Sequence, residues 1–272
     1  MGHVLISPRM QHIESELTTT WLGHPTTVLA EVDSTNRWLK EEWAQRGKNH
    51  GVAVWADAQT QGRGRLGRTW LSPPGTNIYT SILVEPPKHR LTGIISIVAG
   101  IALIKAVRQI TGMDARIKWP NDAVIHGRKF GGILVEAGTV PSPWAICGLG
   151  INVNSETDQE FHHATSLRQA HHALIIREDL WVALMTALES VYDQWLDAGD
   201  EWAAQEWTRV SATLGQEVLV KRPGGTSWTG LAERLDSDGG LWVVALGGQR
   251  QKIIAGEVSL RLKDGRYAPD SF

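Results

Sequence analysis

The sequence is poor in residues that staple, tether or strongly charge a chain. It has one cysteine, Cys147, among 272 residues. No internal disulfide can form, which excludes a secreted bridge-held scaffold, and cysteine-rich zinc sites are excluded with it. Net charge is nearly absent: 27 Lys+Arg against 29 Asp+Glu give a formal −2. No global basic field draws the chain to nucleic acid or to anionic lipid. Long apolar runs are missing too. The most apolar stretch, residues 94–104, is broken by Ser96 and Gly100 and falls far short of the ~20 residues that cross a bilayer. The N-terminus shows no charged start, apolar run and small-residue cleavage site, so no secretory signal is visible. These absences predict a soluble cytoplasmic protein. Two nucleotide-binding signatures are also lacking, the G-x-G-x-x-G turn into a helix and the Walker phosphate loop.

What is present is ordinary for a globular chain. Hydrophobic residues make up 42% and charged residues 21%, values that exclude disorder. The length predicts one large domain or two unequal ones, enough to bury a core without staples. Tryptophan is abundant at 13 residues, against three each of Phe and Tyr. Indoles must therefore supply most of the aromatic bulk, and a flat indole also suits a ring-shaped ligand.

The texture changes along the chain. Residues 1–32 are weakly patterned. Asp33-Ser34-Thr35-Asn36 before Trp38, Leu39 and Trp43 reads as a capped helix, stopped at Gly47. Residues 52–56 and 77–84 read as strands, and 93–110, apolar nearly all round, as a buried helix. Residues 115–119 form a strand cut by Pro120. A hairpin with its tip at 126–129 comes next, then a break at Pro141 to Pro143 and a strand over 144–153. Helical patterns lie near 178–197 and 201–212. Beyond Gly215, short strands alternate with Gly224-Gly225, Asp238-Gly239-Gly240 and Gly247-Gly248. That spacing predicts a small barrel of about 50 residues and places a boundary near Ala212.

Three segments could carry chemistry. The first, QTQGRGRLGRTW from Gln59 to Trp70, is a loop of glycines and arginines. Glycine lets the backbone approach a ligand, and arginine forks bind phosphate or carboxylate. Such a flap suits an anionic ligand, although a solvated basic loop has the same composition. The second is Lys118-Trp119-Pro120-Asn121-Asp122, with Lys129 seven residues after Asp122. Proline ends the strand, and Asn-Asp can cap the next segment or serve as a ligand pair. The residues alone leave Lys129 open between a hairpin-tip lysine in water and a lysine reaching the same pocket. The third is GLGINVN at 148–154. Two glycines in a strand mark close approach by a ligand or another chain segment, and Asn152 can donate and accept at once. The pairs His162-His163 and His171-His172 lack any carboxylate–histidine helix motif that would support a metal. Cys147 reads as a buried small side chain.

Taken in order, Ser34-Thr35-Asn36, the GRGRLGR loop, KWPND with Lys129 at its distance, GILVE at 132–136 and GLGINVN resemble the biotin protein ligases. The resemblance runs from about Val32 to Arg261. It implies an α+β catalytic domain around a mixed sheet, like the class II aminoacyl-tRNA synthetases, followed by a small SH3-like β-barrel. The implied division is an extension at 1–32, a biotin- and ATP-binding catalytic domain at 33–212 and the barrel at 213–272. The implied activity has two steps. Biotin and MgATP give biotinyl-5′-AMP and pyrophosphate, and the adenylate then acylates one lysine of the biotin carboxyl carrier protein of acetyl-CoA carboxylase or a related carboxylase.

Site residues carry over by resemblance. Ser34, Thr35, Asn36 and Gln59 would hold the ureido ring, with backbone N–H groups near Gly64 and Gly132 and with Trp70 as apolar wall. Arg63, Arg65 and Arg68 belong to the loop over biotin and the phosphates. Lys129 matches the catalytic lysine, and Arg65 and Asp122 join it in the catalytic set. Asn121 and Asn152 would face adenine and ribose, and Arg261 would reach back towards ATP. No motif supplies a metal site by itself, so Mg²⁺ is expected to arrive with ATP. Only about thirty residues precede Ser34, so the expected form is the stand-alone ligase without a winged helix-turn-helix, monomer or homodimer, with no nucleic acid and no membrane among its partners. The competing readings are a lipoate ligase or octanoyl transferase on the same fold, and a ligand-sensing DNA-binding regulator.

Overall fold

Two sheets organise the chain in the computed structural model, which describes residues 8–46, 50–87, 92–140, 143–156, 162–221, 227–254 and 259–271. The expected stop at Gly47, the break at Pro141 and the pair Gly224-Gly225 lie outside these residues.

The weakly patterned first residues include an ordered helix, α1 (Pro8–Glu16). The larger sheet contains β1 (Thr26–Val32), β2 (Ala53–Gln59), β3 (Ile78–Val84), β4 (Arg116–Lys118), β5 (Asp122–Ile125), β6 (Arg128–Gly138) and β7 (Trp144–Ile151). Their spatial order is β1-β2-β3-β7-β6-β5-β4. β1 pairs parallel to β2 and the remaining neighbours are antiparallel, which makes the sheet mixed. The period of two sorts its side chains between faces. Val54, Leu83 and Ile146 pack with Leu39 of α2 (Thr35–Arg46) on one face. Trp55, Ile82 and Cys147 point to the other. There they meet α3 (Ile95–Thr111), followed along the chain by α4 (Leu167–His171), α5 (Arg177–Ala198) and α6 (Asp200–Arg209). α3 is buried over most of its surface, as its nearly all-round apolar pattern requires, with Lys105 and Gln109 exposed, and ends at Gly112 with φ +69°. Five tryptophans, Trp55, Trp119, Trp181, Trp195 and Trp207, are fully buried.

α1 packs on α5 and buries Ile13. Charge also anchors it: Arg9 bridges Asp57 of β2 and Glu178 of α5 at 3.0 and 2.9 Å. No helix of the described residues is long and apolar enough to cross a membrane.

The smaller sheet comprises β8 (Glu217–Lys221), β9 (Ser227–Leu235), β10 (Leu241–Ala245), β11 (Arg250–Ile253) and β12 (Ser259–Leu262). It is antiparallel in the order β11-β10-β9-β8-β12. The expected SH3-like β-barrel is therefore corrected: among the described residues β11 and β12 are the two edges of an open sheet and do not pair. Alternation fixes each strand and short turns fix its neighbours, but closure depends on the first strand meeting the last, for which a sequence carries no local signal. The inward side chains Val218, Val220, Ala232, Leu241 and Val243 join the same core as the larger sheet.

The two sheets are joined at the KWPND segment. Ile117 N–H donates to Val210 O and Ala212 N–H to Ile117 O, each at 2.8 Å. Trp119 donates its backbone N–H to Thr213 Oγ1 at 2.9 Å and its indole N–H to Gly239 O at 3.0 Å.

Candidate active site

A cavity of about 250 Å³ opens between the start of α2, the 59–70 loop, the β5–β6 hairpin, β7 and the C-terminal sheet. Its two ends differ in chemistry. One is neutral and closely bonded. Thr35 donates its N–H to Gln59 Oε1 at 2.9 Å, and Gln59 Nε2 donates to Ser72 Oγ at 3.0 Å. Ser81 Oγ lies 2.7 Å from both Thr35 Oγ1 and Asn36 Oδ1. The Asn36 amide donates to Glu136 Oε2 at 2.9 Å. These contacts set the rotamers of short uncharged groups at the first turn of α2, where helix N–H groups are free of intrahelical partners.

The glycines of β7 make this packing feasible. A Cβ at Gly148 would sit 2.2 Å from Asn36 Oδ1, and one at Gly150 would sit 2.5 Å from the Trp70 ring. Both glycines thus admit a side chain from another element, the close approach that GLGINVN implied.

The other end is cationic. β5 and β6 turn at His126-Gly127, with φ +46° and +70°, so Lys129 is not at the hairpin tip but one residue inside β6. A register shift between Ala123 and Val124 accompanies the approach of its ammonium to Asp122 Oδ1, at 2.5 Å. Lys129 Nζ also lies 5.1 Å from the centre of the Trp70 ring, within cation–π range. A Cβ at Gly132 would lie 3.2 Å from that ammonium, so the glycine leaves room for the lysine arm. Arg65 donates from Nη1 to Asn121 Oδ1 at 2.9 Å. Asn121 Nδ2 in turn donates to Ile133 O at 2.7 Å.

Two donors in this half are buried without a partner among the described residues, Arg65 Nη2 and the Trp70 indole N–H. A buried donor left unpaired costs about 1–3 kcal/mol, a cost that an anionic or carbonyl-bearing ligand would offset. Burial moves Asp122 towards protonation, yet Lys129 and Lys118, with the Tyr267 hydroxyl, hold its carboxyl below the usual range. Burial also lowers Arg65 from its ordinary value. Lys118 is 6% exposed. Its burial lowers it to about 8, with Asp122 opposing that and Arg261, Lys129 and Arg65 adding to it.

The 59–70 loop is folded on itself. Gly64 N–H donates to Arg68 O at 2.7 Å and Trp70 N–H to Gly62 O at 2.9 Å. Arg65–Gly67 make one tight turn in which Leu66 has φ +58°. Arg63 and Arg68 are exposed, while Arg65 is turned inward.

Of the sequence-predicted residues, Ser34, Thr35, Asn36, Gln59, Arg63, Gly64, Arg65, Arg68, Trp70, Asn121, Asp122, Lys129, Gly132 and Arg261 all line this one cavity. Asn152 does not: its amide donates to Thr165 O at 3.2 Å, which ties the end of β7 to the segment before α4. Sequence reasoning assigned nothing to Lys118 or Tyr267, and both line the cavity. Lys118 opens KWPND, so the motif itself carried its signal. Tyr267 sits in a polar tail with none. Cys147 is 1% exposed, and burial pushes its thiol up to about 12.

Comparison with known proteins agrees with this architecture. Residues 28–152 match the biotin/lipoate A/B protein ligase family and residues 213–261 the biotin protein ligase C-terminal domain. The biotin--[acetyl-CoA-carboxylase] ligase of Mycobacterium tuberculosis is 33% identical over 85% of this chain and 87% of its own length. This chain belongs to the biotin protein ligase family. Another relative, the bifunctional ligase/repressor BirA of Escherichia coli, is 28% identical over 88% of this chain and 75% of its own. The structure of the Aquifex aeolicus biotin protein ligase in complex with biotin and ATP superposes with a TM-score of 0.76 at 30% identity, covering 88% of this chain and 99% of that one.

Proposed function

We propose that this chain is a ligase that activates biotin with MgATP to biotinyl-5′-AMP and then transfers biotin to a lysine of the biotin carboxyl carrier protein of acetyl-CoA carboxylase or a related carboxylase. The observation that carries this reading is that one cavity has both a neutral hydrogen-bonding end and a cationic end. An uncharged urea suits the first, and two anions pressed together require the second.

Each step has its residues. Ser34, Thr35, Asn36 and Gln59 receive the ureido ring, and Trp70 lies along the hydrocarbon arm. A biotin carboxylate oxygen attacks the α-phosphorus and pyrophosphate leaves. Lys129, with Arg65, offsets the repulsion between carboxylate and phosphate and stabilises charge in the transition state. The acceptor amine then attacks the acyl carbon, the acyl–oxygen bond breaks and AMP leaves. Arg63, Arg65 and Arg68, on a loop fastened to itself and to Asn121, close over the adenylate and keep water from it. Asn121 and Arg261 serve the nucleotide. Mg²⁺ enters as part of the substrate. Among the described lining residues Asp122 is the one carboxylate, and one carboxylate beside phosphate oxygens and waters is a usual Mg²⁺ environment. In this reading 33–212 is the catalytic unit, with α1 and β1 on its flank, and 213–272 is the C-terminal unit.

The test is labelling of a carrier domain by the purified protein. Labelling that needs both ATP and biotin is expected. Adenylation with lipoate and not with biotin would reassign the substrate.

A further inference from the structure

Beyond β12 the chain turns back, with Gly265 N–H donating to Leu262 O at 2.9 Å and Leu262 N–H to Arg266 O at 3.0 Å. This turn delivers Tyr267 into the cavity wall, where it is 8% exposed. Its hydroxyl donates to Asp122 Oδ2, while Lys129 holds Oδ1 of the same carboxylate. Its ring lies 4.3 Å from Lys118 Nζ and 4.7 Å from the Arg261 guanidinium carbon. The His163 ring stacks on it with centroids 5.6 Å apart. One neutral side chain therefore touches two cations and the carboxylate that holds a third. The segment that carries it lies beyond residues 28–152 and 213–261, where the family matches fall.

We infer that Tyr267 is a positioning residue for the nucleotide half of the site: it holds Asp122 by a donor other than Lys129, and it spaces Lys118 and Arg261 for the triphosphate. This rests on the proposed ligase activity. The physical need is specific. A buried carboxylate that loses its ion-pair partner is costly unless another donor holds it. Lys129 has to leave Asp122, at least in part, to meet phosphate oxygens. The phenol keeps Asp122 bonded during that exchange and, being neutral, does not compete for the anion. The ring, meanwhile, presents its π face to both outer cations and fixes their separation without neutralising either.

The test uses the full chain as wild type, Tyr267→Phe and Tyr267→Ala. Single-turnover pyrophosphate release is measured without acceptor against ATP and against biotin, with thermal unfolding alongside. Tyr267→Phe keeps the ring and removes the hydroxyl. Its limiting rate is expected to fall about tenfold, with half-saturation for biotin and the unfolding temperature little changed. Tyr267→Ala also removes the ring, so half-saturation for ATP should rise about tenfold in addition. Rate and ATP half-saturation within twofold of wild type in both variants would overturn the inference. Equal weakening of biotin and ATP in Tyr267→Phe would overturn it too, because that is the signature of a merely structural side chain. Absence of biotin-dependent release by the wild type would sink the proposed activity itself, and the inference with it.

Discussion

The two ends of the cavity use polar groups in opposite ways. At the neutral end the side chains of Thr35, Asn36 and Gln59 already have protein partners, as in the chain from Thr35 through Gln59 to Ser72. At the cationic end Arg65 Nη2 and the Trp70 indole N–H have none among the described residues, and Lys118, Lys129, Arg65 and Arg261 share the wall with one carboxylate. A satisfied network fixes shape and selects a ligand by fit. A cluster with surplus charge holds its energy until a ligand of opposite sign arrives. Selectivity therefore resides at the first end and rate at the second: changes at the first should move biotin binding, and changes at the second should move chemistry.

The sharpest way to break this contrast is Lys129→Ala. Adenylation should drop by about 10²–10³, read as pyrophosphate release, with biotin binding by calorimetry retained. Near-normal release would remove Lys129 from the mechanism. Arg65→Gly comes next. Charge-assisted hydrogen bonds contribute about 1.5–3 kcal/mol each, so biotinyl-AMP should escape into solution roughly ten- to a hundredfold faster. Leakage equal to wild type would show that the loop does not retain the adenylate.

Gly148→Ala addresses the neutral end. Its new methyl would press on Asn36, and overpacking costs about 1–3 kcal/mol. The biotin KM should rise about tenfold while the ATP KM stays put; a change in ATP alone would invert the comparison. Lys118 gives a smaller, pH-dependent effect. Burial lowers it to about 8 from an ordinary 10.5, so it is charged below that value and neutral above it. Raising the pH from 7 to 9 should therefore raise the ATP KM severalfold, and Lys118→Met should flatten the profile. The sign for stability is the reverse. The unfolded chain binds this proton more readily, so the group's contribution to folding improves as pH rises from about 8 towards 10.5. Least of all, Cys147→Ala should leave adenylation within about twofold, and iodoacetamide should leave the folded wild-type thiol unlabelled at neutral pH.

The legible parts of the molecule are those with a local signal. α3 is readable because apolar residues fill nearly all of its surface, Lys105 and Gln109 excepted. The turn into Asp122, the loop arginines and the paired glycines of β7 are readable because few other uses explain those residue types at those positions. α1 is not, since its anchor is the long-range pairing of Arg9 with Asp57 and Glu178, not a strong apolar stripe. Whether β11 and β12 meet is equally invisible, because each strand's alternation is the same in an open and in a closed sheet. Asn152 resembles a ligand group by its glycine-rich setting, but its amide bonds Thr165 instead. Tyr267 lies hidden for the opposite reason: nothing within the tail announces that it folds back 145 positions to Asp122.

The bonds of Trp119 to Thr213 and Gly239 carry a last consequence. The indole that follows Lys118 in the reactive turn is clamped by the C-terminal unit, so a protease nick near residue 212 would not release a working catalytic fragment. It would uncover a large apolar surface and loosen the corner that aims Asp122. Quality control in a cell would then meet the severed halves as damaged goods, and two genes encoding such halves could survive only if their products found each other again.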